Sequence, residues 1–248
     1  MKTTNNTVLI TGGSAGIGFE MAKLFLSKGN HVIITGRDAD RLARAAQQLP
    51  NVVTIVSDVS NEKDTELLVD RLNKDFPELD VVINNAGYAA LYSLADESAN
   101  AFENAEQEML TNYLSIVRLT QKLLPLLKKH NEAALVNVSS ITAFASGKTL
   151  PTYGVSKAAL HAYSQILRLT LAEQSNVKVF ELMPPLVDTT FSAGIGGSNG
   201  IKPEIVAQSL LEAFEKDEYE IHVGGTADLY KVFLSSPAAA LAALNSRY

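Results

Sequence analysis

Tyr153 and Lys157 stand four residues apart in Tyr-Gly-Val-Ser-Lys, at the start of a stretch with helical period, so both project from one face of a helix. A free phenol has a pKa near ~10, and an ammonium beside it favours the phenolate, moving proton exchange toward the range where acid–base catalysis is efficient. Ser140, thirteen residues before the tyrosine, offers a hydroxyl that can donate to an oxygen on which negative charge develops. Such a group could exchange a proton with the oxygen of a carbonyl or an alcohol. Taken singly, these signals have plainer readings. A Tyr-x-x-x-Lys pair occurs by chance on helix surfaces, and Ser139-Ser140 also fits ordinary loop polarity. Order and spacing favour the catalytic reading.

The elements that must position these residues alternate regularly. Consecutive apolar runs at 7–10, 31–35, 52–56, 80–84, 134–138, 177–182 and 220–223 suit strands covered on both faces. Helical periods fall at 16–28, 38–49, 61–75, 98–129, 154–175 and 203–216. The pattern predicts an α/β chain of one domain over 1–248, a Rossmann-type doubly wound parallel sheet flanked by helices on both faces, with ligands at the carboxyl ends of the strands. The first strand runs directly into Thr11-Gly12-Gly13-Ser14-Ala15-Gly16-Ile17-Gly18. A glycine-rich turn there lets backbone approach a pyrophosphate, and the following helix N-terminus offers unpaired N–H groups; a turn needing glycine only for its own conformation is the alternative.

The second strand ends in Thr35-Gly36-Arg37-Asp38. An acidic side chain at the strand end accepts from a ribose 2′-hydroxyl and repels a phosphate, but Gly36 stands there. The Arg37 guanidinium can pair with a 2′-phosphate, and Asp38 reads better as the N-cap of the next helix. NADP(H) is therefore expected over NAD(H), against the alternative of a solvated surface arginine.

With Asn84-Asn85-Ala86-Gly87 after the fourth strand, the chain resembles the classical short-chain dehydrogenase/reductase family from Val8 to about Ala207. Thr11 to Gly18 matches its T-G-x-x-x-G-x-G, Asn84 to Gly87 its N-N-A-G and Tyr153 to Lys157 its Y-x-x-x-K, with Ser140 at the spacing of its serine and Asn112 at its helix-borne asparagine. The resemblance implies a catalytic set of Asn112, Ser140, Tyr153 and Lys157. It implies dinucleotide contacts from Thr11, Gly12, Ser14, Gly16, Ile17, Gly18, Arg37, Asn85, Ala86, Gly87, Tyr153 and Lys157. Lys157 would also hold the nicotinamide ribose, and Asn112 would link it to a water-mediated proton path; satisfying a local backbone group is the other reading of Asn112. Asp58 and Val59 would meet the adenine, with an Asp58 helix cap as the alternative. In Met183-Pro-Pro-Leu-Val-Asp-Thr189, Pro184 and Thr189 match the segment covering the nicotinamide, but Pro185 replaces a glycine, which implies a stiffer wall. The usual D-G-G ending is missing, and Gly224-Gly225 leads into an apolar tail; this combination is most similar to the DltE-like oxidoreductase branch.

With 21 Lys+Arg against 27 Asp+Glu the net charge is −6 and the longest basic run is Lys128-Lys129, which argues against nucleic acid. Cysteine is absent, excluding thiolate chemistry, and the four histidines lack metal-ligand spacing. The apolar stretch before Thr11 is too short for a signal or a span, so a cytoplasmic protein without membrane association is expected; the alanine-rich run from Pro237 to Leu244 reads as a packed terminal helix. The substrate pocket should draw on 88–94, 141–149, Leu186 and a glycine-rich, mobile loop at 190–201, where Lys148, and Lys202 just beyond the loop, are the only cations, so a small or mostly apolar neutral carbonyl is expected. Apolar faces on 98–129 and after Tyr153 predict a homodimer. A dinucleotide sensor with vestigial catalysis is the competing function, which the intact Ser140, Tyr153 and Lys157 disfavour.

Overall fold

Runs of consecutive apolar residues become strands buried from both sides. In a computed structural model, which describes residues 1–246, seven parallel strands form one sheet: β1 (Thr7–Thr11), β2 (His31–Gly36), β3 (Val53–Val56), β4 (Leu79–Asn84), β5 (Ala133–Val138), β6 (Val177–Met183) and β7 (Glu220–His222). Their order is β3-β2-β1-β4-β5-β6-β7. Alternate residues serve opposite layers. Val8, Ile10, Val32, Ile34, Val81 and Ile83 pack on the side of α1 (Gly16–Ser27), α2 (Ala39–Gln48) and α7 (Pro203–Lys216). Leu9, Ile33, Val82 and Leu135 pack on the side of α3 (Glu62–Asp75), α5 (Ser115–Leu127) and α6 (Tyr153–Gln174). The doubly wound sheet expected from the sequence is the fold observed. The order in which strands are added reverses between β1 and β4, which opens a crevice at their carboxyl ends.

Local chemistry fixes the helix starts around that crevice. Asp38 caps α2, accepting from the Arg41 N–H at 2.9 Å. Asn61 caps α3, accepting from the Asp64 N–H at 3.2 Å. Pro237 opens α9 (Pro237–Asn245), where the Ser236 hydroxyl accepts from the Ala239 N–H at 3.2 Å. That terminal helix was expected, whereas α8 (Gly225–Ser235) was not: 225–235 reads as an apolar tail and instead forms a helix packed beside α9.

The segment expected as one helix over 98–129 is divided. α4 (Ala101–Met109) passes into a π-helical turn at Leu110–Leu114 and then into α5. Such a turn carries one more residue than an α turn, a shift that hydrophobic periodicity does not register. The segment 190–201 folds as two 3₁₀ turns, Thr190–Ile195 and Gly197–Asn199, closed by a backbone bridge between Val187 and Ile201. Among the described residues no helix is long and apolar enough to cross a membrane.

Candidate active site

A groove of about 620 Å³ runs along the carboxyl ends of the strands. One end is built by the loop after β1. Gly12 holds φ +66°, and a Cβ there would come within 2.9 Å of the Ala86 Cα, so a side chain would be both strained and crowded. At Gly18 a Cβ would meet Asn85 Nδ2 and the Gly12 carbonyl at 2.5 Å each; this glycine lets α1 pack against the loop and does not reach the groove. Thr11 likewise lies behind it: its buried hydroxyl accepts from the Asn85 and Ala86 N–H groups at 3.0 and 3.1 Å. Both residues shape the cradle from below, while Gly12, Ser14, Gly16 and Ile17 form its surface.

α1 begins with no side-chain cap and no acidic residue in its first turn. Its leading N–H groups and positive dipole end therefore remain available to an anion. Arg37 and Asp38 border the same end, joined by Arg41, which the sequence reading missed. Arg41 is partly engaged by Asp38, with Nε 3.6 Å from its carboxylate, whereas Arg37 is exposed beside Gly36. Asp58 and Val59 line the middle. Asp58 does not cap α3; its carboxylate accepts from the Ser60 N–H and hydroxyl at 2.9 and 2.7 Å. Asn85, Ala86 and Gly87 follow. Glycine cradle, uncapped helix, arginine and elongated groove fit a dinucleotide.

Ser140, Tyr153 and Lys157 meet at the other end. Ser140 lies two residues past β5 and caps a 3₁₀ turn at Ile141–Ala143, its oxygen accepting from the Thr142 N–H and hydroxyl at 3.1 and 2.9 Å. With both acceptor positions used, its own proton is free to be donated. Tyr153 and Lys157 share the first turns of α6, the ammonium 5.6 Å from the phenol ring centre. Lys157 is 3% exposed and donates to the Val138 carbonyl at 2.8 Å.

Burial dominates the protonation of both groups. It pushes the Tyr153 phenol well above its ordinary value, the nearby Ser140 hydroxyl opposing the shift and the Glu108 charge adding to it. Burial pulls the Lys157 ammonium down to about 8, opposed by the charge of Glu181. The sequence-based expectation that the lysine lowers the phenol thus meets a larger desolvation effect of opposite sign.

Asn112 does not touch the groove. Its carboxamide oxygen accepts from the Tyr88 N–H at 2.8 Å, and its nitrogen donates to the Tyr88 carbonyl at 2.8 Å and the Ser156 hydroxyl at 2.9 Å. Four residues before it, Glu108 is fully buried, accepting from the Ala90 N–H at 2.8 Å and the Thr152 hydroxyl at 2.5 Å. Its charge on a helix gave no sequence sign of burial.

Pro184, Pro185 and Thr189 wall the groove. Pro185 lies in a turn without positive φ, so no glycine-only conformation is needed. The end that holds Tyr153 is also lined by Ile141, Leu150, Leu186, Phe191 and Leu244. The Phe191 ring lies 6.1 Å from that of Tyr153. Leu244, from α9, escaped the sequence reading because nothing local ties the terminal helix to the pocket. Lys148 and Lys202 do not line it.

The short chain dehydrogenase family model matches residues 6–199. An uncharacterized oxidoreductase of Bacillus subtilis, DltE, is 41% identical over 226 residues, covering 89% of each chain. An uncharacterized oxidoreductase of Staphylococcus epidermidis is 30% identical over 213 residues, covering 86% of this chain and 90% of its own. A short chain dehydrogenase from Burkholderia cenocepacia, described in complex with NADP, superposes with a TM-score of 0.87 at 24% identity, covering 98% of this chain and 99% of its own. One from Burkholderia phymatum, described in complex with NAD, gives 0.83 at 21%, covering 89% of each. The chain belongs to the short-chain dehydrogenase family and is an oxidoreductase of that class.

Proposed function

We propose that the chain is an NADP(H)-dependent oxidoreductase that reduces a neutral, largely apolar carbonyl or oxidises the corresponding secondary alcohol. The observation that carries this reading is the meeting of Ser140, Tyr153 and Lys157 at one end of a groove whose other end holds an uncapped helix N-terminus and Arg37. Nicotinamide dinucleotides are described in structurally similar chains, and a bound nicotinamide supplies or accepts the hydride. Gly12, Ser14, Gly16 and Ile17 would hold the pyrophosphate and Arg37 the 2′-phosphate, with Asp58 and Val59 at the adenine. Asn85 to Gly87, Pro184 and Thr189 would flank the nicotinamide half.

The chain's own residues manage the oxygen and its proton. Tyr153, kept protonated by burial, gives its proton to the carbonyl oxygen, and in the oxidative direction its phenolate takes the alcohol proton. Ser140 donates its free hydroxyl proton to the same oxygen, where charge develops. Lys157 binds the ribose hydroxyls and supplies positive charge beside the phenol. Asn112 fixes the backbone at Tyr88 against α6, and its remaining acceptor position can take a water on the proton path. The apolar lining from Ile141, Leu150, Leu186, Phe191 and Leu244 selects against charged substrates.

The active assembly is a homodimer paired through α5 and α6. On α6, Val155, Ile166 and Leu169 are 54%, 58% and 65% exposed, an apolar face that a symmetry mate would cover. Sedimentation at micromolar concentration should give a dimer that Leu169→Glu weakens; a parental monomer contradicts the assembly.

The function is tested by following the reduced-nicotinamide absorbance with purified protein and a panel of neutral aldehydes and ketones. Turnover of apolar members with NADPH, and weaker use of NADH, is expected. Tight NADPH binding with no turnover across the panel would instead favour a sensor.

A further inference from the structure

Lys157 is a buried ammonium with one carbonyl as its hydrogen-bond partner, and a charge so placed needs compensation. On β6, the neighbour of the strand whose end holds Lys157, lies Glu181, whose side chain has no solvent exposure. Each carboxylate oxygen has its own partner. Oε1 accepts from the Ser139 hydroxyl at 2.5 Å, and Oε2 lies 2.9 Å from His161 Nδ1. Ser139 directly follows Val138, the residue whose carbonyl holds Lys157, and its own N–H donates to the Leu182 carbonyl at 2.9 Å. His161 is one helical turn beyond Lys157 on the same face of α6. Two consecutive residues at the end of β5, Val138 and Ser139, are thus tied to Lys157 and to Glu181, and the next turn of α6 after Lys157 places His161 on the same carboxylate.

We propose that Glu181 is a positioning residue for the reaction: through Ser139 its buried carboxylate anchors the strand end whose Val138 carbonyl holds Lys157 and which leads into Ser140, and it lends Lys157 a negative counter-charge.

His161 shares this carboxylate, and the other charges nearby are largely committed elsewhere. Around His161 and Glu181 stand Arg168 on α6, Glu220 and His222 on β7, and Glu218 before it. Arg168 is committed to Glu220 at 2.7 Å and to the Val179 carbonyl at 3.0 Å. Burial pulls the His222 imidazole below its ordinary value, and the Phe144 ring packs edge-on against His161, ring centres 5.2 Å apart. Glu181 is the carboxylate whose charge raises the Lys157 ammonium against burial, and it raises His161 as well.

The inference rests on the role proposed for Lys157, so the test separates the two. NADPH affinity is measured by fluorescence from pH 6.5 to 9.5 for the parent, Glu181→Gln, Glu181→Asp and Lys157→Met. The parental affinity should fall above about pH 8, and Lys157→Met should bind weakly throughout. In the isosteric Glu181→Gln the fall should begin about one pH unit lower, with near-parental affinity at pH 6.5. Glu181→Asp should return most of that shift. An onset unchanged in Glu181→Gln, or equally displaced in Glu181→Asp, overturns the proposal. Parental affinity in Lys157→Met would instead overturn the role of the lysine. Melting of Lys157→Met/Glu181→Gln adds a readout independent of binding: partners should couple, so the double variant should melt no lower than Glu181→Gln. If Glu181→Gln does not fold, the double variant decides, folding supporting the pair and failure to fold overturning it.

Discussion

The Asn112 side-chain amide donates to the Ser156 hydroxyl at 2.9 Å, tying the π turn to the helix that carries Tyr153 and Lys157. The same amide clasps Tyr88 through both backbone groups. Asn112→Ala should therefore lower stability by about 1–3 kcal/mol, the cost of leaving buried groups unpaired, and reduce turnover with it. Ser156→Ala should cost less, because both Tyr88 bonds survive. Thermal denaturation of both variants beside steady-state kinetics checks the order; equal losses would show that the Tyr88 clasp carries nothing.

Coenzyme selection should divide between two arginines of unequal freedom. Arg41 is drawn toward Asp38, while Arg37 is exposed at the groove's end. Arg37→Ala should weaken NADPH binding by about tenfold or more, the worth of a charge-assisted bond at ~1.5–3 kcal/mol, and leave NADH nearly unchanged. Arg41→Ala should have the smaller effect. Titration with both coenzymes checks this; parental NADPH affinity in Arg37→Ala defeats the NADP(H) assignment.

The residues that meet at the groove were legible because their chemistry is encoded locally. Tyr153 and Lys157 share a helix face by spacing alone, and the glycines after β1 mark a turn few other residues can make. Asp38 was readable as a cap from its place before a helical period. What escaped depends on contacts distant in sequence. Glu181 interrupts an apolar strand, but its partners Ser139 and His161 come from β5 and α6. Glu108 sits in an outwardly polar helix and is buried only because Ala90 and Thr152 supply donors. The π turn left the apolar pattern intact, and Leu244 reaches the pocket through packing of α8 and α9.

The alkaline limb should belong to Lys157. Its value near 8 lies below that of an ordinary lysine, while the Tyr153 phenol lies above that of an ordinary tyrosine. As pH rises, the ammonium loses its proton first, and with it the positive charge proposed for the ribose. Carbonyl reduction measured as kcat/KM for NADPH should be flat below about pH 8 and fall above it. A fall that begins only near the ordinary lysine range would contradict the burial effect.

Phe191 projects from the 190–201 segment over Tyr153 and remains 51% exposed. An apolar substrate would cover the exposed half of that ring, a gain of about 0.8–1.5 kcal/mol if burial became complete. Phe191→Ala should accordingly raise the substrate KM by up to about tenfold, with a smaller change in kcat. Kinetics with an apolar and a small hydrophilic carbonyl checks it, since only the apolar one should respond.

The central claim is that Tyr153 delivers the proton, and Tyr153→Phe tests it most directly. The substitution removes one oxygen and keeps the ring beside Phe191, so fold and coenzyme affinity should survive. General acid–base catalysis is typically worth ~10²–10⁴-fold, and kcat with any accepted carbonyl should fall by about that factor while the NADPH dissociation constant stays within about twofold. A folded Tyr153→Phe protein that turns over at the parental rate would contradict the account.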